Sequence, residues 1–238
     1  MSTSDYHIEG IGNVSLTRRK RSGRLSVRVK PDGSVSANYP WLTPEKEVIA
    51  FLLKNIDWIR KQQENANTNK TTFSLNQVIS TKSHTIEIVP VEKGSLRGVL
   101  QHGRVVITIP PSEEVSSERV TRFVHKIIDE VCRREAKLFL PARVGELAKI
   151  HGFNFRQVFV KNLKSKWGSC SSKENINLNI HLMRLPDHLI DYIILHELAH
   201  TREMNHGPRF WALLNKITLG KARELDRAIK TQRKLIRH

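Results

Sequence analysis

Apolar and polar residues alternate between Val14 and Asn38. Leu25, Val27 and Val29 stand two apart, with Ser26 and Arg28 between them, which is the period of a half-buried strand. Pro31-Asp32-Gly33 then reads as a tight turn and Val35 as the start of a return strand, so a hairpin is expected. From Thr43 the period lengthens. Thr43-Pro44-Glu45 opens a helix with Thr43 as its cap and proline at its first position. Ile49, Phe51, Leu52, Ile56 and Trp58-Ile59 give that helix an apolar stripe. The polar stretch from Gln62 to Lys70 ends it and serves as a connector. Residues 1–12 are polar and are expected to fray.

Three short strands are expected next, over Thr85–Val89, Leu96–Leu100 and Val105–Ile109, with Gly94 and Gly103 marking turns. Pro110-Pro111 closes this β-rich stretch. Ser116 or Ser117 then caps an amphipathic helix whose apolar face is Val120, Phe123, Val124, Ile127, Ile128 and Val131. A second helical run passes through Val144, Leu147 and Ile150 and stops at His151-Gly152. Strands are expected over Gln157–Lys161 and Asn175–Asn179. A helix starts at Pro186-Asp187, is interrupted by Asn205-His206-Gly207-Pro208, and is followed by a helix over Arg209–Ile217 and a basic one from about Lys221.

The helix after Pro186 carries the chemistry. His196 and His200 are four apart, so they lie one turn apart on one helix face, where two imidazoles can hold one cation. Glu197 follows the first histidine and projects to one side, within reach of a metal-bound water rather than of the metal. The metal lowers the pKa of that water and a carboxylate takes its proton. Ile193, Ile194, Leu195, Leu198 and Ala199 predict a packed helix and a dry pocket. A catalytic zinc usually has three protein ligands. His206, six residues beyond His200, is the nearest third. That spacing is the metzincin one, but Glu203 replaces the glycine of that pattern. No methionine follows His206 either, since the three methionines are Met1, Met183 and Met204. A downstream carboxylate, Glu224 or Asp226, is the rival third ligand. His181 and His188 have no useful spacing and read as surface histidines.

Charge adds a second theme. Lysine and arginine number 40 against 23 acidic residues, a net charge of +17. Such a balance favours polyanionic partners, or else a solvated basic surface. Arg18-Arg19-Lys20-Arg21-Ser22-Gly23-Arg24 could hold the phosphates of a nucleotide or nucleic acid. It has no interleaved aromatics for base stacking. From Lys216 to His238 there are eight Lys or Arg against Glu224 and Asp226. Two cysteines, Cys132 and Cys170, do not make a disulfide framework, and Cys170 reads as a small buried thiol. The first residues lack the apolar core of a signal peptide, and no run nears the roughly 20 apolar residues that span a bilayer. A cytoplasmic protein with no membrane partner is expected.

The blocks His196-Glu197-Leu198-Ala199-His200 and Asn205-His206-Gly207-Pro208-Arg209-Phe210-Trp211 closely resemble the YgjP-like metallopeptidase family of predicted metal-dependent hydrolases. Lys164-Ser165-Lys166-Trp167-Gly168-Ser169-Cys170-Ser171, followed by Asn175-Ile176-Asn177-Leu178-Asn179, is similar to the second signature of that family. Arg19 to Arg28, Pro31-Asp32-Gly33 and Trp58-Ile59 resemble its N-terminal part more loosely. The resemblance implies an α+β fold with a zincin-like core, the metal helix beside a short sheet, and a relation to SprT-like zinc proteases. It implies His196, His200 and His206 as ligands of one Zn2+ and Glu197 as the catalytic carboxylate. Three parts follow: a flexible tail over 1–17, a β-rich N-terminal part over 18–112, and a zincin-like catalytic part over 113–238. Lys166, Trp167 and Arg209 are candidate substrate contacts. Trp167 alternatively packs in the core, with Gly168 as a bulge. Three activities are open: a peptidase with a peptide or protein substrate, a nucleoside-triphosphate pyrophosphatase using the same metal, and a nucleic-acid-associated protein recruited through its basic termini.

Overall fold

The computed structural model describes residues 2–20, 23–30, 32–68 and 73–236. Pro31 of the expected turn, Arg21 and Ser22 of the basic segment, Lys70 of the connector and the last two residues lie outside them. The chain forms two compact units, 1–70 and 71–238. The division falls at the polar connector after Gln62.

The first unit is a four-stranded sheet with two helices. Its strands are β1 (Ser2–Ile8), β2 (Gly12–Arg19), β3 (Ser26–Val29) and β4 (Val35–Pro40), in the order β1-β2-β4-β3. The expected hairpin is there as antiparallel β3 and β4, while β2 runs parallel to β4. The expected frayed start is instead a strand. β1 pairs with β2 over its whole length, from Ser2 opposite Arg18 to Ile8 opposite Gly12. Only Ile8 of β1 is buried, so the apolar pattern is faint. The strand is held by the ladder and by cross-strand side chains, Ser15 donating to Asp5 at 2.6 Å and the Thr3 and Thr17 hydroxyls meeting at 3.2 Å. The expected single helix is two, α1 (Glu45–Lys54) and α2 (Ile56–Thr68). The chain breaks at Asn55, which leaves Phe51 and Trp58 about half exposed and buries Val48, Leu52 and Ile59. Thr43 does not cap α1; Pro44 stands at the cap with no side-chain hydrogen bond.

The second unit begins with β5 (Val78–Ser80), β6 (Thr85–Pro90), β7 (Arg97–Gln101) and β8 (Arg104–Ile109), ordered β5-β6-β8-β7. Ile86, Ile88 and Ile107 share one core with Val120, Val124 and Ile128 of α3 (Glu118–His151). Ser117 caps α3 by accepting the Val120 N–H at 3.3 Å, and Gly152 ends it with φ +69°, a left-handed cap suited to glycine. The two expected helical runs are one helix of 34 residues. The buried stripe continues through Val131, Ala136, Leu140 and Val144 without a change of phase. Pro141 sits inside it, but both Pro141 and Lys137, whose carbonyl loses its partner, are exposed, so water can take that bond.

After α3 come β9 (Gln157–Lys161), β10 (Gly168–Cys170) and β11 (Asn175–Asn179), ordered β10-β11-β9, with β10 antiparallel and β9 parallel to β11. A short 3-10 turn over Ile180–Arg184 leads to α4 (Asp187–Ala199), then α5 (Pro208–Ile217) and α6 (Ala222–Thr231). His181 is fully buried, not on the surface, with its Nε2 3.2 Å from Asp129. It lies in that 3-10 turn, and the turn packs on α3. α4 packs against β10, β11 and α3. Arg143 of α3 clamps it with a two-pronged pair to Asp191, at 2.7 and 2.6 Å. The result is the expected α+β fold, with the histidine helix beside a short sheet.

Candidate metal centre

α4 is buried on nearly every side, with Ile193, Ile194, Leu195, Leu198 and Ala199 all in the core. A helix so enclosed cannot rotate, and His196 and His200 project together from the face left for them. His200 is the residue that ends the helix. Beyond it the N–H groups of Thr201, Arg202 and Glu203 bond back to the Leu198 and Ala199 carbonyls. The Gly207 N–H donates to the Asn205 carbonyl at 2.7 Å, and Pro208 starts α5. This turn carries His206 back over the helix end.

The three imidazoles converge through Nε2. His206 Nε2 lies 3.0 Å from that of His196 and 3.1 Å from that of His200. One proton can serve one such pair; a cation among them serves all three. Nitrogens at 2.0–2.1 Å from a tetrahedral zinc would stand about 3.3 Å apart, so the triad is close to that geometry. The tautomer fits as well. His200 Nδ1 is 3.0 Å from the Glu203 carbonyl, which accepts its proton and leaves Nε2 with a lone pair. Glu203, which replaces the metzincin glycine, thus contributes through its backbone. Burial, and then the neighbouring His200 and His206, push His196 down to about 4, and burial holds His200 below its usual value. Neutral rings are the form a cation needs.

Glu197 is not one of the three clustered groups and is buried, which pushes its carboxyl up to about 8. The Lys166 cation and the backbone N–H of Cys170 oppose that rise. Glu224 and Asp226 do not join the triad, which among the described residues is the one group of three able to share an ion. Asp226 accepts from Lys230 at 2.7 Å. Lys166 and Arg209 are exposed. Trp167 is only 7 % exposed and belongs to the core, so packing is its main role. Cys170 is half-buried rather than buried, and its thiol is pushed up to about 11, chiefly by desolvation. The N-terminal cations meet rings of their own unit. Arg18 lies over Tyr39 and Trp41 and Lys20 over Trp41, aromatics that are distant in sequence.

Residues 23–232 match the family model described as YgjP-like, metallopeptidase domain. The chain belongs to the YgjP-like family. Among solved structures it is similar to the metallopeptidase zymogen of Pyrococcus abyssi abylysin, with 26 % identity over 40 % of this chain and 94 % of that one, at a TM-score of 0.37. The metallopeptidase zymogen of Methanocaldococcus jannaschii jannalysin is comparable, with 26 % identity over 39 % and 94 % and a TM-score of 0.35. No curated protein matches the chain. Membership of the YgjP-like family makes the protein a metal-dependent hydrolase of metallopeptidase type. No helix among the described residues is long and apolar enough to cross a membrane.

Three features of this YgjP-like site lie outside the helix that carries His196 and His200. Gly168 is not a bulge; β10 pairs with β11 in regular register. Its glycine makes room for the carboxylate. A methyl group there would lie 2.7 Å from Glu197 Oε1 and 2.8 Å from Cγ. The backbone N–H of Cys170, two residues on, favours the charged form of Glu197. Phe210 packs against all three imidazoles. No spacing rule singles it out, because His206 stands on the turn before the helix that carries Phe210.

Proposed function

We infer that the protein is a zinc peptidase in which His196, His200 and His206 hold the ion and Glu197 handles the proton. The convergence of three Nε2 atoms beside a buried carboxylate supports this reading most strongly. Zn2+, when bound, supplies Lewis acidity, lowering the pKa of a water and polarising a carbonyl. Glu197 sits next to a ligand in the chain yet outside the ligand set, which suits it to a water beside the ion. Its burial raises its affinity for a proton. It takes the proton of the attacking water and returns it to the departing amine. β10 is the free edge of its sheet and lies against α4, so an extended peptide can add to it as a further strand. Lys166 and Arg209, both exposed, are assigned to substrate contact.

The test is one activity screen, a peptide library beside a nucleotide panel, on zinc-loaded wild type and Glu197→Gln. The expected result is peptide cleavage by wild type, reduced by about 10²–10⁴-fold in Glu197→Gln at equal metal content. Pyrophosphate release from nucleotides that Glu197→Gln abolishes, with no peptide cut, would put a phosphohydrolase in its place.

A further inference from the structure

Metal-binding histidines are usually held by a hydrogen bond from the second ring nitrogen. Here His200 has one, to the Glu203 carbonyl. His196 and His206 make hydrogen bonds to other triad members and to nothing else among the described residues. Both rings also meet aromatic side chains: Tyr192 lies 6.0 Å from His196 and Trp211 6.4 Å from His206, each farther off than Phe210, and His206 is exposed and stands on a turn.

The His ring centroids form a near-equilateral triangle, with sides of 5.0, 5.1 and 4.6 Å. The Phe210 centroid stands 5.0 Å from His196, 4.5 Å from His200 and 4.7 Å from His206. The four rings therefore sit at the corners of a near-regular tetrahedron. Phe210 stacks on His200 at 26° and meets His196 and His206 edge-on at 71° and 70°. Offset stacking and edge-to-face contact are the two arrangements that aromatic quadrupoles favour. The ring is fully buried and belongs to the main core, so it cannot yield when a ligand ring leans on it. It stands in the first turn of α5, just past Pro208, and so couples the turn that bears His206 to the helix that bears the other two.

We propose that Phe210 is the positioning residue of the metal centre, an aromatic platform that orients all three imidazoles toward one ion. The proposal rests on the reading of His196, His200 and His206 as ligands. It makes Phe210 necessary for affinity beyond its share of the core.

The experiment measures zinc affinity of the full chain by competition with a chromophoric chelator. The variants are Phe210→Leu, which keeps an apolar side chain, and Leu214→Ala, which empties a fully buried position one turn along the same helix. Thermal unfolding of each metal-free protein is recorded alongside. The expected result is a loss of roughly 10-fold or more in affinity for Phe210→Leu, the scale seen when a ligand's supporting partner is removed. Leu214→Ala should keep the wild-type affinity although it unfolds at a lower temperature. Equal losses in the two variants would reduce Phe210 to a packing residue, and wild-type affinity in Phe210→Leu would overturn the proposal outright. His206→Ala separates the two levels. If it binds zinc as tightly as wild type, the ligand assignment itself has failed and the platform with it.

Discussion

Glu197 is as buried as the core leucines beside it, yet it is the residue assigned to proton transfer. What makes that possible is a space one methyl group wide at Gly168. An alanine Cβ would press within 3.0 Å of three carboxyl-side atoms of Glu197. The buried side chain has little room to step aside, so its carboxylate must shift. A displacement near 1 Å costs on the order of 10²-fold in rate where geometry is set this closely. Gly168→Ala is therefore expected to lower peptide turnover by about 10–100-fold while retaining zinc, as steady-state kinetics and metal analysis would show. Wild-type turnover in that variant would mean that Glu197 does not depend on this wall. At this scale the sequence pointed to the three histidines proposed as ligands and not to the residues around them. His196 and His200 declare themselves because helical spacing is local. Gly168 and Phe210 matter through contacts that pair one element with another, and no periodicity encodes such contacts.

Between elements, a buried carboxylate, Glu135, gathers several donors on the inner face of α3. Its carboxylate accepts from Thr81 Oγ1 at 2.8 Å, from the Lys82 and Ser83 N–H groups at 3.1 and 2.9 Å, and pairs with His84 Nδ1 at 2.6 Å. It ties the β5–β6 turn to the long helix. Removing it leaves several part-buried donors without their acceptor, at about 3 kcal/mol. For a chain of this length that corresponds to a midpoint lowered by roughly 6–12 °C. Glu135→Ala is expected to show that loss in thermal unfolding; an unchanged midpoint would mean these bonds are neutral. A lone glutamate in an amphipathic helix gives no hint of this from sequence. The same holds for β1, whose pairing rests on hydroxyls and backbone instead of an apolar alternation. Strongly patterned elements were legible: β3 with β4, β6, β8, β9, β11 and α4 lie where alternation or helical spacing put them. The break at Asn55 and the fusion across Pro141 were not, because each depends on which side of the helix faces solvent.

For the molecule as a whole, the net charge of +17 governs association and solubility, and does not say which bond is cut. Part of that charge is already engaged, as in Arg104 with Glu87 at 3.0 Å and Arg119 with Glu113 at 2.9 Å. The proposed function rests on the second unit, where α4 and the turn after it bring His196, His200 and His206 to a point. That convergence makes a quantitative demand on the intact chain. It should bind one zinc ion, and each histidine should be indispensable to it. Elemental analysis of purified full-length protein after dialysis against trace chelator measures this directly. The expected result is one zinc per chain in wild type and in Glu197→Gln, and substantially less than one in each of His196→Ala, His200→Ala and His206→Ala. A full complement of zinc in any of the three histidine variants, or none in wild type, would contradict the account.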